Sequence, residues 1–318
     1  MQIHFNRIVD ALNHHIIGQP HLTSRMLIAL LGEGHLLVEG PPGLAKTKAV
    51  RTLAQLVEGD FHRIQFTPDL LPSDITGTEI FRPQTGTFEF QPGPIFHNLI
   101  LADEINRAPA KVQSALLEAM AEHQVTVGNR TLPMPELFMV MATQNPIEQE
   151  GTYPLPEAQL DRFMLKVNID YPRDADAERR ILELVESEAR HSDDPLPQPL
   201  TQTQLFEARR AVLDLHLADS VKTYIVQLIL ATRSPADYDA QLAQWLQYGA
   251  SPRATLALAR AARAHAWLAG KDFVSPDDVQ QVAADVLRHR LLLSFEAEAD
   301  GITPDAVVEK LLATVPVL

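Results

Sequence analysis

The stretch Gly40-Pro41-Pro42-Gly43-Leu44-Ala45-Lys46-Thr47 follows the apolar run Leu36-Leu37-Val38 and leads into a helical pattern that begins near Thr47. Strand, glycine-rich loop and helix, in that order, are the context that a phosphate-binding loop requires. Glycines let backbone N–H groups surround phosphates, and the start of the helix adds its positive dipole end. The stretch therefore predicts a nucleotide site, and the structural alternative is an ordinary glycine- and proline-rich turn.

Four positions in and after this loop carry the prediction further. Lys46 would neutralise the β- and γ-phosphates, and Thr47 would offer its hydroxyl to Mg²⁺. We also count Lys48, together with the residues of the loop, among the predicted nucleotide-binding residues. Ala45 departs from the general pattern, in which glycine precedes the lysine. We expect Ala45 to adopt the right-handed conformation, with its methyl group near the phosphates.

A second motif, Leu99-Ile100-Leu101-Ala102-Asp103-Glu104, lies downstream. An apolar run that ends in acids is typical of a buried parallel strand, and ligands gather at the carboxyl ends of such strands. We expect Asp103 to hold the metal ion, usually through water, and Glu104 to orient and polarise the attacking water. A strand that merely ends in solvated acids is the alternative, which the position downstream of Lys46 and Thr47 disfavours.

Phosphoryl transfer needs charge stabilisation beyond a lysine and a magnesium ion. Asn145 follows a further apolar run, so its amide should reach the same sheet edge, although a plain turn residue would look alike. Arg162 precedes the last predicted strand and could reach the nucleotide of a neighbouring subunit, or simply pair with Asp161 or with solvent. Arg253 falls in the first turn of a predicted helix, where the dipole opposes a cation. We therefore expect an anion there, either a nucleotide phosphate or a carboxylate.

The first half of the chain alternates short apolar runs with helical patterns, which predicts a parallel sheet with crossover helices. Prolines in the segment 191–200 break any helix and predict a linker, after which the pattern is helical only. The predicted fold is an α/β nucleotide-binding domain over 1–190 followed by an all-helical domain over 201–318. The predicted strands are His35–Glu39, Phe61–Phe66, Leu99–Asp103, Leu137–Thr143 and Phe163–Ile169. The predicted helices are Thr23–Leu31, Thr47–Val57, Ala110–Ala121, Ala175–Ala189, Gln204–Asp214, Ser220–Thr232, Pro252–Ala269, Pro276–His289 and Pro304–Ala313.

Two segments interrupt the α/β pattern. Glu79–Arg82 and Thr87–Gln91 flank a Pro-Gln-Thr-Gly turn, and Gln124–Val127 and Arg130–Pro133 flank Gly128-Asn129, a dipeptide that permits a tight hairpin turn. Both segments are predicted to form hairpins that extend or cover the sheet.

Composition excludes several classes of protein. The 318 residues carry a formal net charge of −14, which argues against nucleic acid as the main partner. The absence of cysteine excludes disulfides and thiolate metal sites. No stretch is long and apolar enough to span a bilayer, and the first ten residues lack the basic-then-apolar pattern of a secretory signal. We expect a cytoplasmic protein.

These motifs together resemble the AAA+ ATPases and, within them, the MoxR family, over nearly the whole chain. The alanine before the lysine is itself usual in this family. The strings that carry the resemblance, besides the loop, are Leu101-Ala102-Asp103-Glu104-Ile105-Asn106-Arg107-Ala108-Pro109, Ala142-Thr143-Gln144-Asn145-Pro146 and Leu155-Pro156-Glu157-Ala158-Gln159-Leu160-Asp161-Arg162-Phe163.

The resemblance implies a role for each of these motifs. Lys46 and Thr47 belong to Walker A, and Asp103 and Glu104 to Walker B. By the same resemblance Asn145 is sensor 1, Arg162 the arginine finger and Arg253 sensor 2. It also implies that Ile16, Ile17 and Gly18 lie near the adenine.

The resemblance also implies an assembly and a cellular role. Family members form rings, usually hexamers, in which the two hairpins lie near the central pore. It implies ATP and Mg²⁺ as ligands, a protein client, a partner with a von Willebrand factor A domain, and a chaperone-like role in maturing protein complexes.

Three functions compete at this point. An ATP-driven remodeller of proteins is the first, and a nucleic-acid motor, for which Arg82 and Arg130 of the hairpins could touch phosphates, is the second. The third is a nucleotide-gated scaffold without catalysis, which the presence of Glu104 disfavours because binding alone would not need it.

Overall fold

The computed structural model describes residues 2–128, 130–146, 151–190 and 196–317. The strands are β1 (Leu36–Glu39), β2 (Phe61–Gln65), β3 (Gly77–Arg82), β4 (Thr87–Pro92), β5 (Leu99–Asp103), β6 (Gln124–Val127), β7 (Arg130–Pro133), β8 (Met139–Gln144), β9 (Leu165–Asn168), β10 (Leu246–Tyr248) and β11 (Leu292–Leu293). The helices are α1 (Gln2–His15), α2 (Pro20–Leu31), α3 (Lys46–Leu56), α4 (Pro72–Thr76), α5 (Ala110–Glu122), α6 (Glu157–Leu160), α7 (Ala175–Ala189), α8 (Gln202–Asp214), α9 (Asp219–Arg233), α10 (Ala240–Trp245), α11 (Pro252–Leu268), α12 (Pro276–Leu287), α13 (Phe295–Ala299) and α14 (Pro304–Thr314).

A parallel sheet of five strands, in the order β2-β5-β8-β1-β9, forms the centre of the first half. Each of these strands overlaps one of the five predicted from the apolar runs. The runs are continuously apolar because a parallel sheet is covered on both faces by its crossover helices. The predicted fold class, an α/β sheet followed by a helical region, is confirmed.

The two faces of the sheet belong to two hydrophobic clusters. Alternate residues of β1 point to opposite faces, so Leu36 and Val38 join one cluster and Leu37 joins the other. The cluster around Leu37 includes Leu116 of α5. The cluster around Leu36 continues through α1, α2 and α3 into the C-terminal helices as far as Leu311. The sheet and the helical region thus share one apolar core.

The helix α1 occupies residues to which the sequence pattern assigned no element. Phe5, Ile8, Leu12 and Ile16 recur at helical spacing and are almost completely buried. Because these apolar residues pack into the core shared by sheet and helices, α1 ties the beginning of the chain to both.

The C-terminal region is helical apart from one short exception. Every helix predicted there is present, and a Ser or Thr stands at the N-cap before each of three prolines. The side chains of Ser251 and Thr303 accept there from a backbone N–H of the first turn. The prediction of helices alone was wrong at β10 and β11, which form an antiparallel pair. These strands have three and two residues, too few to show the two-residue period that marks a strand.

The predicted linker ends against the sheet domain. Leu200 N donates to Leu56 O at 2.9 Å, and Glu58 N donates to Leu200 O at 2.8 Å. Residues 191–195 of this segment lie outside the described residues, and the domain boundaries stay a prediction. None of the helices in the described ranges combines the length and apolarity that crossing a membrane requires.

Candidate nucleotide site

The predicted phosphate loop connects β1 to α3. Gly40 N donates to Gln144 O of the neighbouring β8 at 3.3 Å. A Cβ atom on Gly40 would lie 2.5 Å from the carbonyl oxygen of Ile169, so a side chain does not fit there. Gly43 has a φ of 84°, and no atom lies within 4 Å of the position that its Cβ would take. The loop therefore packs closely at its first glycine and faces open space at its second.

The conformation of Ala45 differs from the one expected. Ala45 has a φ of 54° and a ψ of 22°, so it is left-handed and the prediction of a right-handed residue was wrong. A residue with a Cβ atom costs about 1–2 kcal/mol in this region. Strain of this kind concentrates at ligand-binding turns, and here it falls immediately before α3 begins at Lys46.

The ammonium group of Lys46 folds back over the loop. Its Nζ donates to Gly40 O at 2.7 Å. Burial lowers the pKa of Lys46, and the negative charges of Asp103, Glu104 and Glu39 act against that shift. The lysine is thus oriented by the loop and lies in the field of the acids that end β5.

Three neighbouring strands bring most of the predicted site together. β5, β8 and β1 are adjacent and parallel, so their carboxyl ends meet at one edge of the sheet. At this edge lies a cavity of about 420 Å³, the phosphate-loop cavity. It is lined by residues 42–48 of the loop and by Arg63, Asp103, Glu104, Thr143, Gln144 and Asn145. Lys46, Thr47, Asp103, Glu104 and Asn145 therefore face one shared space, whose lining does not include Gly40 and Pro41.

Thr143 holds the two acids of this cavity. Its hydroxyl donates to Asp103 Oδ1 at 2.6 Å and accepts from Glu104 N at 2.9 Å. Glu104 has a φ of 56°, an uncommon conformation for a residue other than glycine and one that clusters at functional sites. The sequence analysis did not single out Thr143, although its place near the end of a buried strand, two residues before Asn145, was a usable signal.

Two side chains of β2 also reach the acids. Arg63 Nε and Nη2 donate to Asp103 Oδ2 at 3.0 and 2.6 Å, and Gln65 Nε2 donates to Glu104 Oε2 at 2.6 Å. Both residues were missed in the sequence. The two-residue period of a strand places them on one face of β2, and β2 lies beside β5, but only the strand order reveals that neighbour.

The residues of the phosphate-loop cavity fit a magnesium ion that arrives with a nucleotide. Mg²⁺ takes oxygen ligands, typically one or two protein groups together with water and substrate phosphates. Thr47 and Asp103 supply such oxygens on one cavity. Among the described residues no group of three or more His, Cys, Asp or Glu side chains could hold a metal ion by itself.

Arg162 and Arg253 lie together in a second cavity of about 390 Å³, the arginine cavity. Four arginines line it, namely Arg162, Arg253, Arg260 and Arg290, together with Glu33, His35 and Asp161. No residue of the phosphate loop contributes to its lining, and neither Arg162 nor Arg253 lines the phosphate-loop cavity. The structure therefore brings these two predicted residues to each other and not to the predicted phosphate site of the same chain.

Arg162 is held by the sheet domain. Its Nη1 donates to Leu117 O at 2.6 Å. The carboxylate of Asp161 binds Arg290 at 2.8 Å instead of its chain neighbour. The alternative in which Arg162 pairs with Asp161 was therefore wrong.

Arg253 stands in the first turn of α11, as the sequence predicted. Ser251 caps that helix by accepting a hydrogen bond from Arg253 N at 3.1 Å. Within the described part of the chain, no carboxylate lies within 4 Å of the Arg253 guanidinium. The carboxylate alternative thus finds no support there, and an external anion is the remaining expectation.

His35 forms part of the wall of the arginine cavity as a neutral base. Burial lowers its pKa to about 4. Its Nδ1 accepts from Val140 N at 3.1 Å, and its Nε2 lies 3.2 Å from Met120 O. The imidazole thereby joins β8 to α5 by hydrogen bonds rather than by charge.

Ile17 and Gly18 do not line the phosphate-loop cavity; they form the turn between α1 and α2. A Cβ on Gly18 would lie 2.9 Å from Pro172 Cγ. The adjacent Tyr171 donates its hydroxyl to Pro42 O at 3.2 Å. The turn therefore approaches the outer side of the loop through residues that follow β9.

Both predicted hairpins are present, and the turn residue Asn129 lies outside the described residues. The rings of Phe81 and Phe88 pack at 5.2 Å on the hairpin β3–β4, and both side chains remain half or more exposed. Arg82, which the nucleic-acid hypothesis would use, donates to Glu89 at 2.7 Å. The hairpin thus presents apolar rings beside a neutralised arginine.

Known proteins resemble this chain over its whole length. The model of the ATPase family associated with various cellular activities (AAA) matches residues 35–165, and that of the AAA lid domain matches 241–311. The chaperone MoxR1 of Mycobacterium tuberculosis is 47% identical over 97% of this chain and 81% of its own length. The protein MoxR of Methylorubrum extorquens is 32% identical over 95% of this chain and 91% of its own. A crystal structure from Cytophaga hutchinsonii, of a protein assigned as an ATPase, superimposes with a TM-score of 0.92 at 45% identity and covers 100% of this chain and 96% of that one.

Proposed function

The chain belongs to the MoxR family of AAA+ ATPases, and from that premise we propose that it hydrolyses ATP to ADP and phosphate to drive the remodelling of protein complexes. The observation that carries the proposal is the shared phosphate-loop cavity, in which Lys46 and the acids Asp103 and Glu104 face one space. A site for nucleotide binding alone would not need an acid beyond the metal ligand. We infer hydrolysis because Glu104 faces the cavity in addition to the metal ligand Asp103.

Each side chain of the phosphate-loop cavity has a task in this proposal. The loop and Lys46 bind the phosphates, and Thr47 and Asp103 contact the magnesium ion, which neutralises charge on the phosphates when it is bound. Glu104 orients the attacking water and accepts its proton, and Asn145 holds that water from the end of β8. Thr143 keeps the two acids at a fixed spacing through its hydroxyl.

The arginines belong to a neighbouring subunit's site in this proposal. Arg162 and Arg253 share a cavity from which the chain's own phosphate loop is absent. Two guanidiniums that line one cavity, with no carboxylate on Arg253 among the described residues, suit the phosphates of a nucleotide bound by the next copy. We propose a closed ring, hexameric by resemblance, in which each nucleotide lies between two copies.

The remodelling step would act through the hairpins. The exposed rings Phe81 and Phe88 suit contact with an apolar polypeptide better than contact with phosphates, and the net charge of −14 disfavours nucleic acid. Protein clients, a partner with a von Willebrand factor A domain and a cytoplasmic setting, where ATP is available, complete the proposal.

Two variants test the shared site. Arg162→Ala leaves the phosphate-loop cavity intact, so nucleotide should bind as in the parent while turnover falls by about 10³-fold. Glu104→Gln should bind ATP and not hydrolyse it. The Arg162→Ala copy keeps Glu104, and the Glu104→Gln copy keeps Arg162. Mixing the two variants should therefore restore turnover at the sites between them. Phosphate release from each variant and from the mixture is the measurement.

Normal turnover by Arg162→Ala would contradict the shared site. Undetectable turnover by the parent chain with intact ATP affinity would contradict catalysis itself and favour the scaffold hypothesis. Stimulation by DNA that is steeply lost with added salt would favour the nucleic-acid motor.

A further inference from the structure

Asp161 connects the two chain segments that carry Arg162 and Arg253 in the arginine cavity. Its Oδ2 accepts a hydrogen bond from Ser251 Oγ at 2.7 Å, and its Oδ1 accepts from Arg290 Nε at 2.8 Å. Asp161 is the chain neighbour of Arg162 in the sheet domain, whereas Ser251 caps the helix that presents Arg253. One carboxylate therefore joins the segment that carries one arginine to the helix that carries the other.

The hydroxyl of Ser251 makes two bonds at once. It donates to Asp161 and accepts from Arg253 N at 3.1 Å. Helix N-caps need only the accepting half of this arrangement, because the cap satisfies a free backbone N–H of the first turn. Thr303 caps α14 by accepting from Ala306 N at 3.2 Å. At Ser251 the donating half reaches a carboxylate of the sheet domain, a contact that helix capping itself does not need.

Arg290 fixes Asp161 from the other side. Its side chain is 2% exposed, and its Nη2 also donates to Asp161 O and Phe163 O at 3.2 and 2.6 Å. A guanidinium so deeply buried requires a counter-ion, since an unpaired buried charge is strongly destabilising. Asp161 therefore cannot swing away to follow Ser251, and the hydroxyl of Ser251 is held to a rigid point of the sheet domain.

Arg162 is fixed independently of this contact. Its Nη1 donates to Leu117 O of α5. With Arg162 anchored on the sheet domain, the distance between the two guanidiniums depends on how α11 is held. The described contacts that hold its first turn to the segment beside Arg162 run through Ser251.

We propose that Ser251 and Asp161 are positioning residues that set the spacing of Arg162 and Arg253, so that both guanidiniums meet the phosphates of one nucleotide on the neighbouring subunit. The inference rests on the proposed shared site. The bland alternative is that Ser251 only caps α11 and Asp161 only neutralises Arg290. In that case the loss of the hydroxyl would lower stability and would not act on a neighbour's turnover.

The test uses full-length copies mixed in pairs. Arg162→Ala serves as the acceptor, whose site needs arginines from its neighbour, and Glu104→Gln serves as the donor, which supplies arginines and cannot hydrolyse ATP. Ser251→Ala is added to the donor, and in a separate mixture to the acceptor. Thr303→Ala in the donor is the matched control, because it removes an N-cap of the same region without touching Asp161. Ser251→Thr in the donor, which keeps a hydroxyl, is the conservative variant.

We expect Ser251→Ala in the donor to lower the restored turnover by about tenfold, because small displacements of a charge-stabilising group are costly in rate. The same change in the acceptor should leave the restored turnover within about twofold of its value, since the acceptor's own arginines do not serve the measured site. Thr303→Ala should leave it unchanged, and Ser251→Thr should recover most of the loss. Nucleotide affinity of all variants should match the parent.

Several results would overturn the inference. Equal losses from the donor and acceptor versions, or from Ser251→Ala and Thr303→Ala, would reduce Ser251 to a structural cap. Full restoration with Ser251→Ala in the donor would show that its hydroxyl does not matter. If the unmodified donor and acceptor restore no turnover at all, the shared site fails and the inference falls with it, an outcome distinct from a selective failure of Ser251→Ala.

Discussion

The phosphate-loop cavity and the arginine cavity differ in how they are built and in what they contain. Strand ends and a contiguous loop form the first, and they bring two carboxylates and a lysine together. Residues distant in the chain form the second, with four arginines and few acids. The first holds the phosphate loop and the acids at the end of β5, and the second holds the guanidiniums of Arg162 and Arg253, neither of which lines the first. Under the proposed function these two cavities are half-sites of one catalytic site, and catalysis is expected where copies meet.

We expect the largest effect from Arg253→Ala, which tests whether the arginine cavity and the phosphate-loop cavity have different functions. If the arginine cavity serves the transition state of a neighbour, turnover should fall by about 10³-fold while nucleotide affinity stays within about twofold of the parent. Arg260→Ala is the control, because Arg260 lines the same cavity two turns further along α11. Turnover and nucleotide titration are the measurements. A loss of affinity in Arg253→Ala would place this arginine on the nucleotide of its own chain.

In the phosphate-loop cavity we expect a substitution to lower the affinity for nucleotide. Lys46→Ala removes the cation that the loop orients, so affinity for ATP should fall by about 10²-fold, as expected for the loss of charge-assisted hydrogen bonds. Fluorescent-nucleotide titration measures it, and an unchanged melting temperature is the control for folding. If Lys46→Ala binds nucleotide as the parent does, the two cavities do not divide binding from catalysis.

A smaller effect should follow from Thr143→Val. The loss of its hydroxyl releases Asp103 Oδ1 and Glu104 N, so turnover should fall by about tenfold and more Mg²⁺ should be needed for half-maximal rate. Thr126→Val on β6 is the matched control, since among the described residues its hydroxyl bonds to Thr131 at 3.4 Å and to neither acid. Equal magnesium dependence in both variants would show that Thr143 does not position the acids.

The smallest effect concerns pH and falls on the arginine cavity. The folded pKa of His35 is lowered to about 4 from an ordinary value of 6.5, so the folded state binds fewer protons than the unfolded state between these values. Stability should therefore decrease as pH falls, by about 1 kcal/mol between pH ~7 and pH ~5.5. Urea unfolding of the parent and of His35→Gln checks this. If the stability of His35→Gln depended on pH as steeply as that of the parent, another group would be responsible for the effect.

The loop and its chemistry were predictable because they are local. Residues 40–47 carry their own glycines, lysine and hydroxyl, and the acids of β5 end a run whose burial its composition already indicates. The handedness of Ala45 was predicted wrongly because the backbone angle depends on how the loop closes between β1 and α3. Arg63 and Gln65 were missed because only the strand order places β2 beside β5.

The sequence by itself determined the five strands of the central sheet, the predicted helices, the phosphate loop and the acids at the sheet edge, because periodicity and contiguous motifs act over a few residues. Only the tertiary structure decided that Arg162 and Arg253 share a cavity away from the loop, and that Asp161 joins the segments that carry them through Ser251. The physical reason is that these contacts depend on how the helical region packs against the sheet through the shared apolar core. That packing is a property of many distant residues together and leaves no local pattern in the chain.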